Sequence, residues 1–377
     1  MPDSANLTLL LTGDVMTGRG IDQIQRRSSE PTLYEPYVLD ARGYLRLAER
    51  ANGPMARRVP PDYIWGDALA AVDAARPDLR ILNLETAVTT ADTPWPEKGI
   101  NYRMHPANVA CLDAFAPDCC VLANNHVIDW GREGLEETLD TLATAGLATA
   151  GAGRDYAEAS APAILARPDG GRLLVFAVGH GSSGIPADWA AGPDRSGVHR
   201  LPDLVAGTAA KFARHIETVR RPGDQVVLSI HWGTNWGYEI PAEQRAFAHA
   251  LIDHGAVDLV HGHSSHHPRA MEVHRGRLIL YGCGDFLNDY EGIGGNEAFR
   301  GELSLAYLPT LSDGRLTALR MLPFRIRRFR LERAPEEAID WLAETMDREA
   351  RRFGGQVVRA GHALKLDWSG EGAPVNE

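Results

Sequence analysis

Six short apolar runs in this chain each end in a residue type that holds a metal ion or moves a proton. LTLLLT ends at Gly13-Asp14, RILNL at Glu85, CCVLA at Asn124-Asn125-His126, and VVLSI at His231. VDLV ends at His261-Gly262-His263, and LILYGCG ends at Asp285. Imidazoles, carboxylates and an amide oxygen form a donor set for a divalent cation, and His/Asp pairs also carry protons. In open α/β sheets, ligands bind beyond the carboxyl ends of the strands. The six ends therefore predict one shared rim and an enzyme.

Each residue has a structural reading beside the chemical one. Asp14, next to Gly13, either caps a turn or serves as a ligand. The donor fork of Arg19 either binds a substrate carboxylate or pairs with Asp22 on the surface. Glu85 after an apolar run is costly unless ionised against a cation or a salt-bridge partner. Asn125 offers a neutral hard ligand and His126 a ligand or an acid/base group. Asp129 either orients His126 or caps the next helix, and the cap is the simpler reading. Trp232 and Trp236 either wall a pocket or pack their own loop. His261, His263, His266 and His267 crowd into HGHSSHHP, beyond what satisfied core histidines explain.

Composition bounds the class. With 44% hydrophobic and 24% charged residues, the 377-residue chain reads as an ordinary globular protein. No apolar run approaches the roughly 20 residues that span a bilayer. The N-terminal apolar stretch runs straight into Gly13-Asp14, so it reads as a first strand, and a cytoplasmic location is expected. A net charge of −11 argues against nucleic-acid binding. Cys111, Cys119, Cys120 and Cys283 lack CxxC spacing and read as buried thiols.

The elements that must position these groups alternate between strand and helix. Strands are predicted at 7–12, 79–84, 118–123, 162–167, 172–179 and 225–230, with helices near 62–75, 106–115, 131–145, 203–220 and 241–254. The stretch 21–61 is long for a connection and reads as a functional or mobile loop. From 257 onward strands dominate: 257–261, 270–274, 277–282, 303–308, 315–323 and 325–332. The alternation of Arg with apolar residues in 325–333 suits a half-buried strand or an anion patch. A helix near 335–352 and a polar tail, 367–377, complete the prediction. The simplest organisation is a catalytic domain over 1–333, with 334–377 packed on it.

The chain resembles the CapA-like proteins, linked to poly-γ-glutamate capsule synthesis, which are similar to calcineurin-like metallophosphoesterases. The matching residues are GDVMTGRG at 13–20, NLET at 83–86 and ANNHVIDWGREGLEETLDTLATAGLATAGAG at 123–153. HWG at 231–233, Pro241 with Gln244, GHSSH at 262–266 and YGCGDF at 281–286 continue the match. The resemblance implies an α/β fold of two packed β-sheets flanked by helices. Departures bear on activity. The superfamily opens with Asp-x-His, but here Met16 stands at the imidazole position. The glutamate expected soon after HWG is displaced to Glu239, with Asn235 nearer. Asp285 stands where this branch tends to have Asn.

Some proteins similar to this family invert the Cα of the C-terminal residue of a lasso-type ribosomal precursor peptide. The resemblance thus implies a metal-dependent peptide epimerase, with His126 and His266 as proton carriers tuned by Asp14 and Asp285. A divalent ion (Mn, Ca, Zn or Fe) is expected among Asp14, Glu85, Asn125, His231 and His263. Arg19, Trp232 and Trp236 are expected to hold the peptide. The alternatives are a phosphoester or amide/γ-glutamyl hydrolase and a non-catalytic peptide-binding protein. No membrane or nucleic-acid partner is expected, and the oligomeric state stays open.

Overall fold

Leu9 and Leu11 face one side of the first strand and Leu10 the other, and all three are buried. That period-2 pattern with no polar side requires cover on both faces. The computed structural model, which describes residues 6–368, supplies it. One sheet runs in the order Gly355–Ala360, Ala363–Trp368, Arg315–Arg327, Leu303–Ser312, Leu7–Val15, Leu79–Leu84, Cys119–Val121, Ala148–Ala150. The second orders Arg200–Leu201, Arg172–His180, Gln225–His231, Leu259–His263, Arg277–Leu280 and Met271–His274.

Leu9, Leu11, Ile81 and Val121 of the first sheet share one apolar core with Val175, Val227, Leu259 and Leu278 of the second. Leu10 and Leu82 instead pack with Leu112, Phe115 and Leu135, from helices Ala110–Phe115 and Gly131–Thr144. On the far side, Leu174 and Leu228 pack with helices Ala206–Val219 and Ala242–Asp253 through Phe212 and Phe247. The protein is therefore α/β, two packed β-sheets flanked by helices, as the resemblance implies.

Register brings the polar strand ends together. Leu7–Val15 runs parallel to Leu79–Leu84 and Asp285–Leu287, which aligns Asp14 with Asn83 and with Asp285. In the other sheet His231 aligns with His263.

Several predicted elements are corrected. The stretch 21–61 holds helix Arg42–Asn52 and packs Glu35 and Tyr44 inward, so it is built structure rather than a mobile loop. The strand break predicted near 324 lies at Arg328-Phe329, where φ is +56° and +54°. One strand, Arg315–Arg327, therefore continues past it, and a short return strand, Arg330–Arg333, follows. Ile326 and Leu331 are buried while Arg325, Arg327 and Arg330 keep partial exposure, a half-buried hairpin. The part of the tail that is described pairs as Ala363–Trp368 with Gly355–Ala360; residues 369–377 lie outside the described residues. All four cysteines are buried and free. Among the described residues no helix is long and apolar enough to cross a membrane.

Candidate active site

Asp14 is buried at the junction of the two sheets. Its Oδ1 accepts from Asn83 Nδ2 at 2.7 Å, and its Oδ2 accepts from the Ser264 backbone N–H at 3.2 Å. Burial first, then the charge of Asp285, raises its carboxyl from 3.8 to about 7. Glu85 is buried beside it. Burial and the Asp14 charge push the Glu85 carboxyl well above its ordinary range. Two acids so placed hold their protons more tightly than free carboxyls do, and a cation would compete with those protons.

The histidines converge from the second sheet, and their tautomers follow from a hydrogen-bond chain. His261 Nε2 lies 2.8 Å from the Thr12 carbonyl oxygen, which only accepts, so Nε2 carries the proton. Burial lowers this ring to about 4, so it is neutral and its Nδ1 accepts from the Ser229 hydroxyl at 3.1 Å. The Ser229 oxygen then accepts from His263 Nε2 at 2.8 Å, which leaves His263 Nδ1 bare. His231 Nε2 donates to the Asn125 amide oxygen at 3.0 Å, so its Nδ1 is bare as well. The two bare nitrogens face each other 2.8 Å apart. Facing lone pairs repel, and a cation shared by both removes the repulsion.

The fit to a divalent ion is otherwise good. Ligand atoms of Asp14, His231 and His263 lie within 4.8 Å of one another, as do those of Asp14, His266 and Asp285. Glu85 Oε2 is buried with no hydrogen-bond partner, and Glu85 Oε1 lies 3.9 Å from His231 Nε2. Nitrogen and oxygen donors of this mix accept several first-row ions.

Two histidine–carboxylate pairs adjoin the cluster. His126 Nδ1 is 2.6 Å from Asp129 Oδ2, and His126 Nε2 is 3.7 Å from Glu85 Oε1. Asp129 thus orients His126; the next helix has Trp130 at its N-cap position and no side-chain cap, which corrects the capping reading. Burial outweighs the Asp129 charge and lowers His126 to about 4, so the ring is neutral. His266 Nδ1 is 2.9 Å from Asp285 Oδ1, whose Oδ2 accepts from Asn288 at 2.7 Å. Burial opposes its protonation, but the Asp285 charge and hydrogen bond, with Asp14, lift His266 above its ordinary value. One imidazole is held neutral and the other is biased toward the cation.

Other expected residues stand elsewhere. Arg19 is buried, with bonds from NH2 and Nε to Asp289 at 2.5 and 3.2 Å and from NH1 to Glu35 at 3.2 Å. The Tyr44 and Tyr102 rings sandwich it at 3.8 and 4.2 Å. Its donors are engaged internally, so it is a structural cation rather than a carboxylate receptor, and Asp22 is not its partner. Trp232 is buried and stacked on Tyr281, with its Nε1 donating to the Tyr281 carbonyl at 3.0 Å, which is packing. Trp236 is half-exposed, 5.4 Å from the His266 ring, and lines a cleft of about 530 Å³ with Asn288, Tyr290, Arg300 and Gly301. His267 is held in the same loop between the Gly237 N–H and the Pro268 carbonyl.

Two contributors, Lys98 and Tyr290, escape a sequence reading. Lys98 Nζ reaches Asp129 Oδ1 at 3.2 Å and His126 Nδ1 at 3.4 Å, from a loop with no periodic signal. The Tyr290 hydroxyl lies 3.5 Å from His266 Nε2, 3.4 Å from the Tyr102 hydroxyl and 3.6 Å from Met16 Sδ. Met16 is fully buried where the Asp-x-His pattern has an imidazole, so a thioether borders that side of the cluster.

The sequence pattern of the family described as "Bacterial capsule synthesis protein PGA_cap" matches residues 8–290. A Mycobacterium tuberculosis protein named "Probable polyglutamine synthesis accessory protein" is 48% identical over 356 residues, covering 93% of each chain. The "PGA biosynthesis protein CapA" of Bacillus subtilis is 23% identical over 284 residues, 75% of this chain and 63% of that one. The "Capsule biosynthesis protein CapA" of Bacillus anthracis is 22% identical over 293 residues, 76% of this chain and 61% of that one.

Proposed function

The chain belongs to the bacterial capsule synthesis protein PGA_cap family, and from that premise we propose a metal-dependent acid–base enzyme that cleaves amide bonds in a glutamyl or glutaminyl polymer during its synthesis. The observation that carries this reading is the placement of two histidine–carboxylate pairs, His126 with Asp129 and His266 with Asp285, beside one cation-fitting cluster. Groups whose environments push their proton affinities apart are the natural base and acid of one reaction.

When bound, the divalent ion supplies positive charge for the oxygen that becomes anionic as the carbonyl is attacked. Neutral His126 takes a proton from the attacking water, and Asp129 with Lys98 holds the ring in place. A C–O bond forms and the C–N bond breaks, while His266 gives its proton to the departing nitrogen. Asp285 stabilises that imidazolium. Trp236 walls the cleft beside His266, where a chain segment leads away from the reacting bond. The name of the 48%-identical relative supports a polyamide substrate and a supporting role in synthesis.

A second reading is epimerisation of a peptide Cα, as in the lasso-precursor enzymes that the sequence resembles. The paired dyads favour it: His126 removes the Cα proton and His266 returns one to the other face, leaving composition unchanged. One experiment separates the two. Metal-replete protein is incubated with poly-γ-glutamate and with polyglutamine in deuterated water. New amine ends support cleavage, and Cα deuterium without cleavage supports epimerisation. If neither forms, both readings fail. Brisk turnover of p-nitrophenyl phosphate in their absence makes the protein a phosphoesterase.

A further inference from the structure

Outside the buried cluster, helix Ala242–Asp253 lies against strand Met271–His274. His249 and Asp253 are four apart on the helix and share one face, while Glu272 and His274 are two apart on the strand and share one face. The two faces meet. His249 Nε2 is 3.0 Å from Glu272 Oε1, and His274 Nε2 is 2.8 Å from Asp253 Oδ1. The imidazoles of His249 and His274 stack with centroids 3.8 Å apart and planes 5° from parallel. One ligand atom each from His249, Glu272 and His274 lies within 4.8 Å of the others.

We propose that His249, Glu272 and His274 form a second cation site, one for a zinc-class divalent transition metal. Two imidazole nitrogens and one carboxylate oxygen are a usual three-residue zinc donor set, and both rings reach it from half-exposed positions. Glu272 is buried and its other oxygen accepts from the Tyr281 hydroxyl at 2.7 Å, which fixes the carboxylate as an outer-sphere partner does. Arg245, 3.0 Å from Glu272 Oε1, is the cation that the metal displaces. The site is made by His249 of the helix and the i,i+2 pair Glu272 and His274 on the facing strand, so the ion staples helix to strand. The helix follows the loop that carries Trp236, and the strand follows the loop that carries His266. Metal at this staple therefore braces the two loops that border the cleft.

The test is Zn²⁺ titration of chelator-treated full-length protein by calorimetry, comparing wild type with His249→Ala/His274→Ala and with His263→Ala. Wild type is expected to bind about one more equivalent than the double variant, and His263→Ala is expected to keep that equivalent. Equal stoichiometry and affinity in wild type and double variant overturn the site, as does loss of the same equivalent in His263→Ala. Should circular dichroism show the double variant unfolded, the single variant His274→Gln decides. A tenfold or greater weakening of the added equivalent upholds the site, and unchanged affinity overturns it.

Discussion

Lowering the pH from 8 to 5 should release a divalent ion from the buried cluster, through its carboxyls and not its histidines. Burial and neighbouring charge raise Asp14 to about 7 and Glu85 well above its ordinary value. Burial, with the charge of neighbouring imidazoles, holds His231 and His263 well below 6.5, which favours their neutral forms. A metal must displace the carboxyl protons, which costs about 1.4 kcal/mol, or tenfold in affinity, per pH unit below each value. Between pH 7 and pH 5, Asp14 alone weakens Mn²⁺ binding by about 100-fold, and the Glu85 proton steepens the fall.

The metal-free protein behaves in the opposite sense. A carboxyl raised in the folded state stabilises most below its unfolded value, and that contribution is lost as pH rises from 3.8 through about 7. Thermal protection by Mn²⁺ should thus grow with pH. Glu85→Gln removes one of the facing acids. It should raise the melting temperature of the metal-free protein at pH 8, weaken Mn²⁺ binding there, and flatten the pH dependence. Calorimetric titration and thermal melts at four pH values read all three. Constant Mn²⁺ affinity from pH 5 to 8, or a metal-free Glu85→Gln protein less stable than wild type at pH 8, refutes the reasoning.

Other perturbations separate positioning from packing. Ser229→Ala frees the tautomer of His263 and should weaken Mn²⁺ binding about 10–100-fold; His261→Gln, whose amide can donate to Thr12 and accept from Ser229, should keep most of it, as metal titration will show. Asp129→Asn leaves His126 without its carboxylate and should lower turnover about 10–100-fold with little change in KM. Arg19→Ala strands Asp289 and Glu35 as buried charges and should cost about 3–5 kcal/mol in urea unfolding. Trp232→Ala should cost a comparable ~3–5 kcal/mol, whereas Trp236→Ala should leave stability unchanged and raise KM.

The chain's one-dimensional pattern already held the strand ends and their chemistry. A strand buried on both faces is a continuous apolar run, and its last residue before the loop is free to be polar. Asp14, Glu85, Asn125, His231, His263 and Asp285 are legible for that reason, and the order of strands and helices follows from the same alternation. The Gly355–Trp368 hairpin was not legible, because Val357, Leu364 and Leu366 alternate with Arg359, Lys365 and Asp367 and mimic a polar tail. Nor was the turn at Arg328-Phe329, where a buried aromatic occupies a left-handed position that usually selects glycine.

Tertiary structure alone decided which groups pair. Arg19 finds Asp289 at a separation of 270 residues, and His261 finds Thr12 at 249. The first pairing follows from the parallel alignment of Leu7–Val15 with Asp285–Leu287, and the second requires the two sheets to pack. Lys98 and Tyr290 reach the histidines from irregular loops, where no hydrophobic period records direction. Residue type and strand end are properties of a segment and are written locally. Protonation state, tautomer and the converging lone pairs of His231 and His263 depend on burial and on neighbours supplied by distant segments, so they come into being only when the chain folds.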